Sequence, residues 1–400
     1  MVNHKFLRTC KTKVLDSDSK PIILKGVNLG GWLMMEGYIL HAPNEGVQKF
    51  KKNFAKRLNL KSLEAFEKEF TKIFIQEKDI KNIVQLGFNC IRLPFHYRLI
   101  ETKPYQYSKK GLQCIDQIIA WAKKYHIYVI LDLHAAPGCQ NHDWHSDSLG
   151  KAELWNNKSF QDRTCALWKL LAKRYADNPM VAGYDILNEA VIQSSKKLNS
   201  FYKKVIVSIR SVDKNHILFV EGNLWATDIA CLDNFKDDNL VLSVHFYHPI
   251  DFVFNFTPKL SLPLKTMWNK TMLKNIVEQY AQFAKKRGCP IFVGEFGVNY
   301  RYNQYGEVDW LEYVLGLFKK HQFHWTYWTY KAIKNAHFPD GMFSYHPNNS
   351  WIHREGPKTG WETYSDLWEK AKKEIIQSWD TKHFDPNTKV VEVLKDAVRS

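Results

Sequence analysis

The chain has 400 residues, 45% hydrophobic and 24% charged, with 57 basic against 41 acidic side chains and a formal net charge of +16. That balance fits a folded globular protein and excludes a disordered or fibrous chain, and no stretch approaches the roughly 20 consecutive apolar residues of a membrane span. The lysines alternate with glutamates in stretches such as KSLEAFEKEFTKIF (61–74), which predicts solvated helix faces and no specific nucleic-acid partner.

The opening MVNHKFLRTCKTKV has no apolar leader. Seven cysteines without metal-like C-x-x-C spacing add to the expectation of a reduced, cytoplasmic protein; a leader removed beforehand would place it outside the cell instead. Cys90 and Cys289, in or beside strand-like runs, are expected to be buried thiols. TKVLDSDSKPIILKG (12–26) reads as a hairpin turning at DSDSK.

Eight short β-rich runs follow: IILKGVNLGG (22–31), CIRLPF (90–95), IYVILDLHAA (127–136), VAGYDILNEA (181–190), HILFVEGN (216–223), LVLSVHFY (240–247), PIFVGEFG (290–297) and FHWTYWTYK (323–331). Amphipathic stretches such as GLQCIDQIIAWAKKYH and NIVEQYAQFAKKRG separate them and end on basic residues or glycine, as helices do. Continuously apolar strands alternating with helices predict a parallel sheet covered on both faces. Eight such units predict a single (β/α)8 TIM barrel over residues 1–400, with the hairpin closing its bottom and elaborated loops after strands 1 (41–86) and 8 (332–363). An open doubly wound sheet is the alternative, but no G-x-G-x-x-G follows the first run.

The last residues of these runs are polar: Arg92, His134, Asn188, Glu189, Glu221, Asn223, His245, Tyr247, Glu295 and Trp328. Polar groups gathered at this end of nearly every strand are hard to explain as packing, because burial without mutual hydrogen bonds is unfavourable by kilocalories each. In such barrels chemistry collects there. A facing carboxylate pair, Glu189 and Glu295, is the minimal equipment for cutting a glycosidic bond. The aromatic content of 14% suits a surface that stacks flat ligands such as sugar rings.

GVNLGGW, the Arg of IRLPF, the His of LDLH, the Asn-Glu pair, HFY, GEFG and the late Trp, in this order over about residues 20 to 370, resemble glycoside hydrolase family 5 of clan A. GVNLGGWLMMEGYI and WTYWTYK look most like its exo-β-1,3-glucanase branch. Ala190 stands where the family usually has proline, and HAAPGCQNHDWHSDS is not that branch's wording for the third loop. The resemblance implies retention by double displacement, with Glu295 as nucleophile and Glu189 as acid/base of raised pKa. Arg92 and Tyr247 would sit beside Glu295, with Asn188 on the sugar 2-hydroxyl. His134 and His245 would contact sugar hydroxyls or orient the acid, Trp328 would lie under the ring, and Glu36 would hold distal hydroxyls. No cofactor or metal is implied.

Asp132 is expected to orient His134, and Asp185 to be structural. His142 and His145 in HDWH invite a metal reading, weaker than one in which the loop contacts sugar and Trp144 stacks on it. Phe338, Phe343, Tyr345 and Trp351 either wall the cleft or form a small core of their own. The expected function is hydrolysis of β-glucosidic bonds in β-glucan, oligosaccharide or β-glucoside. Endo-β-1,4-glucanase, mannanase and glycolipid glucosidase remain open within the family, as does an inactive carbohydrate-binding barrel.

Overall fold

The computed structural model describes residues 5–40, 44–261, 270–345 and 361–399. Eight strands close into a parallel barrel in chain order: β1 (Lys25–Asn28), β2 (Cys90–His96), β3 (Tyr128–Ala135), β4 (Val181–Asp185), β5 (Ile217–Glu221), β6 (Leu240–His245), β7 (Ile291–Phe296) and β8 (His324–Tyr327). Each falls in one of the eight predicted runs, β2 running one residue past its own to His96. Helices such as Lys109–Tyr125, Lys158–Tyr175, Ser195–Arg210, Lys270–Arg287 and Glu307–His321 lie between them. The first of these is capped by Ser108, whose side chain accepts from the Gly111 amide, and stops at His126 in a left-handed conformation.

The strands are apolar on both faces because helices cover the outside while side chains fill the lumen. Along β3 the period of two sends Ile130, Asp132 and His134 inward in successive layers. The lowest layer is apolar, built from Cys90, Ile130, Ala182, Phe219, Val241 and Phe292, with the Phe219 and Phe292 rings 5.0 Å apart. Below it lies the predicted hairpin, Lys13–Leu15 against Pro21–Ile22, extended by a third strand, Arg8–Cys10. Its Val14, with Leu7 ahead of it, joins the lowest layer. The turn is organised by Asp16, whose Oδ1 accepts from the amides of Asp18 and Lys20 at 2.9 Å.

The long segment after β1 holds three helices, Val47–Arg57, Leu60–Ile73 and Glu77–Gln85. The penultimate helix Trp361–Ser378 packs on them through Trp368, 5.5 Å from the Phe66 ring, and Trp379 follows at 5.4 Å. Phe343–Tyr345 pairs with Phe384–Pro386, so Phe343 and Tyr345 serve this small sheet, and Trp351 lies outside the described residues. Cys90 is buried, whereas Cys289 is only half-buried, against expectation. Among the described residues no helix is long and apolar enough to cross a membrane.

Candidate active site

Above the apolar layer the lumen turns ionic. Arg92, fully buried, spreads its guanidinium across the barrel. Its Nε donates to Asp185 at 2.8 Å and Nη1 to Glu295 at 2.8 Å, while Nη2 donates to Asn188 at 2.9 Å and Glu221 at 3.0 Å. Asp132 lies 3.1 Å away. One cation therefore faces four carboxylates. Burial and the neighbouring Glu221 push Asp185 up to about 7, despite the arginine. Asp185, expected to be merely structural, is part of this network.

Glu295 leaves β7 where the register slips against both neighbours, between Val244 and His245 on one side and Val293 and Phe296 on the other. Such irregularities re-aim side chains at barrel rims. One Glu295 oxygen accepts from Arg92, and the other accepts from the Tyr247 hydroxyl at 2.9 Å.

Glu189 follows β4 with φ at +47°, an unfavourable conformation for a non-glycine residue. It is pinned there: its amide donates to Glu221 at 2.6 Å, and its carbonyl accepts from the Asn141 side chain at 2.9 Å. A carboxylate oxygen of Glu189, one of Glu295 and a His245 ring nitrogen lie within 4.8 Å of one another. The two glutamates meet.

Their electrostatics differ from expectation. Burial alone would raise the Glu189 carboxyl. Instead His145 at 2.9 Å and His245 at 2.6 Å hold it well below the usual carboxylate range. The expected raised pKa is corrected, because two imidazoles outweigh desolvation. Both imidazoles are raised in turn: burial opposes their charge, but Glu189 prevails at His145, and Glu295, Glu221 and Glu189 prevail at His245. His134 accompanies them. Burial opposes its charge too, yet Asp132 at 2.7 Å and Glu36 at 3.5 Å raise it to about 10.

Trp328 directly follows β8 and stacks on His134, rings 5.5 Å apart and 10° from parallel. Its indole N–H donates to Tyr38. Glu36 is buried at 3% exposure, with burial raising its carboxyl, so it is no surface loop acid. Among the described residues, the Asn188 amide nitrogen, buried beside Arg92, has no hydrogen-bond partner. These groups line a pocket of about 700 Å³ that also takes in Trp144, Trp225, Phe254 and Phe338.

Of the residues given roles from the sequence, Glu36, His134, Trp144, Glu189, His245, Tyr247, Glu295 and Trp328 line this pocket and Arg92 and Asn188 lie directly beneath it, whereas the strand-end Asn223 binds the Ile192 backbone. Glu221, noted only as a strand-end acid, bridges Arg92 and the Glu189 backbone. His145 was expected only as part of a sugar-contacting loop; its pairing with Glu189, 44 positions away, had no signal in the sequence. Tyr38 and Trp225 carried none. Among the described residues, two acid-rich clusters have metal-like geometry, Glu189–His245–Glu295 and Asp132–Asp185–Glu221. Neither includes His142 or His145, and the second faces the Arg92 guanidinium.

The sequence pattern described as Cellulase (glycosyl hydrolase family 5) matches residues 47–334. A beta-xylosidase of Phanerodontia chrysosporium is 33% identical over 344 residues, covering 82% of this chain and 71% of that protein. Endoglucanase C of Acetivibrio thermocellus is 27% identical, with 77% and 91% covered. A probable glucan 1,3-beta-glucosidase A of Aspergillus clavatus is 29% identical, with 57% and 56% covered. The crystal structure of an endoglucanase from Thermotoga maritima superposes with a TM-score of 0.60 at 22% identity, over 80% of this chain and 91% of that one, a likeness of fold. With strand-end carboxylates facing each other in the barrel and a pattern match across most of the chain, this protein belongs to glycoside hydrolase family 5 and is a glycosidase.

Proposed function

We propose that the chain is a retaining, exo-acting β-glycosidase that cleaves terminal β-glucosidic bonds by double displacement. The observation that carries this reading is the approach of Glu189 and Glu295 to within 4.8 Å, which leaves no room for a water between nucleophile and sugar and suits direct carboxylate attack. Glu295, held by Arg92 and Tyr247, attacks the anomeric carbon while the aglycone oxygen departs with a proton from Glu189. That proton comes from one of the two imidazoles beside it, His145 or His245, 2.9 and 2.6 Å away, and reaches the carboxyl as charge develops on the leaving oxygen. Ester formation removes the negative charge of Glu295. Glu189 then accepts a proton from the water that releases the sugar and regenerates Glu295.

Trp328 provides the apolar floor for the ring, and the free amide of Asn188 grips the 2-hydroxyl. Glu36 and His134 take hydroxyls further along the sugar. Exo action is supported by three rings from three loops: Tyr38 packs 5.8 Å from Trp144 and 4.9 Å from Phe338, and those two are 5.9 Å apart. Together they wall the pocket beside Glu36 and Trp328, where an endo enzyme would need an open groove.

An aryl β-glucoside tests the reading. Glu295→Ala should lower kcat by at least about 10³-fold, and azide should restore turnover as a glucosyl azide because it replaces the missing nucleophile. Wild type that binds laminari-oligosaccharides yet releases sugar from no β-glycoside would make the chain a binding barrel.

A further inference from the structure

On the Glu189 side of the pocket the backbone does something costly. Leu224, Trp225 and Ala226 are consecutive non-glycine residues with φ of +52°, +55° and +58°, a run that L-residues avoid. Its anchors are specific. Asn223 clasps the backbone of Ile192 with both side-chain atoms, at 3.0 and 2.7 Å. The Trp225 amide donates to the carbonyl of Ala190, next to Glu189, at 3.4 Å, and its indole N–H donates to Asp143 at 2.8 Å. The effect is to hold Leu224 and Trp225, 45% and 46% exposed, at the mouth of the pocket.

On the neighbouring loop, after β6, stand Ile250 and Phe256, 48% and 44% exposed. Phe256 packs 5.4 Å from Phe254, which lies 5.0 Å from Tyr247, the residue bonded to Glu295. Four large apolar side chains thus continue the catalytic pocket outward, all lining the same cavity. Left in water they are unfavourable, and covering them with another apolar surface is favourable.

The position identifies the occupant. On the hydrolase reading, the sugar ring lies over Trp328, among Glu36, His134 and Asn188. Whatever leaves with the proton of Glu189 leaves toward Leu224 and Trp225. A second sugar there would need free hydrogen-bonding groups, and this wall offers few: one Asp143 oxygen accepts from the Trp225 indole at 2.8 Å, leaving only its other oxygen turned to the pocket, and the Thr227 hydroxyl donates to the Leu224 carbonyl at 2.6 Å. His248 is the polar exception in the lining. Aromatic faces alone could stack a sugar, whereas Leu224 and Ile250 offer its hydroxyls nothing.

We infer that the leaving-group subsite is built for an apolar alcohol, so that the preferred substrates are β-glycosides of alkyl, aryl or alicyclic aglycones rather than oligosaccharides. The inference rests on the hydrolase reading above and narrows its substrate class.

The test compares kcat/KM for octyl and methyl β-D-glucoside, which share leaving-group chemistry, with octyl glucoside kept below its micelle concentration. Cellobiose and laminaribiose serve as sugar-aglycone competitors, and the alkyl β-xylosides run in parallel. Octyl glucoside should exceed methyl glucoside and both disaccharides by at least about tenfold. Leu224→Asn, a residue that tolerates left-handed backbone, and Phe256→Ser, at an exposed site, should each reduce the octyl-to-methyl ratio at least about threefold. Equal rates for octyl and methyl glucoside, a preference for either disaccharide, or a ratio untouched by both variants would overturn the inference while leaving the hydrolase standing. Hydrolysis of none of these glycosides would remove both.

Discussion

At Glu189 three distant parts of the chain decide the state of one carboxyl. His145 comes from the loop after β3 and His245 from the end of β6, and together they keep Glu189 ionised despite its burial. A carboxyl depressed on folding contributes stability above its unfolded value of about 4.3 and loses it as pH falls. An imidazole raised on folding contributes below about 6.5 and loses it as pH rises through its folded value. The His145–Glu189 pair therefore stabilises most between about pH 4.3 and 6.5. His145→Ala should unfold more readily than wild type by about 1–2 kcal/mol in that window, the gap narrowing on both sides in urea titrations at stepped pH. A gap that is flat with pH would place the contribution of His145 in packing rather than charge.

At the scale of elements, the sheet's irregularities and close approaches set the site. Register slips on both sides of β7 turn Glu295 and His245 inward, and the turn after β1 supports the floor. A Cβ at Gly30 would meet the Trp328 ring and the Thr329 hydroxyl at 2.9 Å. Gly30→Ala should therefore displace Trp328, lowering kcat/KM on an aryl β-glucoside by about tenfold or more with little change in unfolding midpoint. Unaltered kinetics would mean that Trp328 is not the floor the sugar rests on. The eight strands themselves were legible, because strands buried on both faces read as continuous apolar runs. The third strand of the N-terminal sheet was not, being a three-residue edge, Arg8–Cys10, too short for a pattern.

Over the whole molecule, the C-terminal segment and the helices after β1 form a second packed region beside the barrel. Trp368, 2% exposed, lies among Phe54, Phe66 and Trp379. Lys331, just past Trp328, is buried with its ammonium on the Trp379 carbonyl at 2.7 Å and the Thr381 hydroxyl at 2.9 Å, and burial lowers it to about 8. Trp368→Ala should cost about 3–5 kcal/mol in chemical denaturation. A loss below about 1 kcal/mol would show that the barrel folds without this region's support. The +16 charge is carried largely on solvent faces, where pairs such as Lys51–Glu67 and Lys124–Glu77 form at 2.6 Å, each of little energetic weight.

The amino-acid sequence by itself determined the barrel and the identity of the groups at its mouth. Strand period and burial are local properties, and a polar residue ending an apolar run stands out from its neighbours. Only the tertiary structure decided what those groups do to one another. Arg92 meets Glu295 across 203 positions and Glu189 meets His245 across 56, so protonation depends on distances that no local pattern encodes. The apolar rim at Leu224 and Trp225 was invisible for the same reason: its meaning comes from a left-handed turn and from sharing one pocket with Ile250 and Phe256.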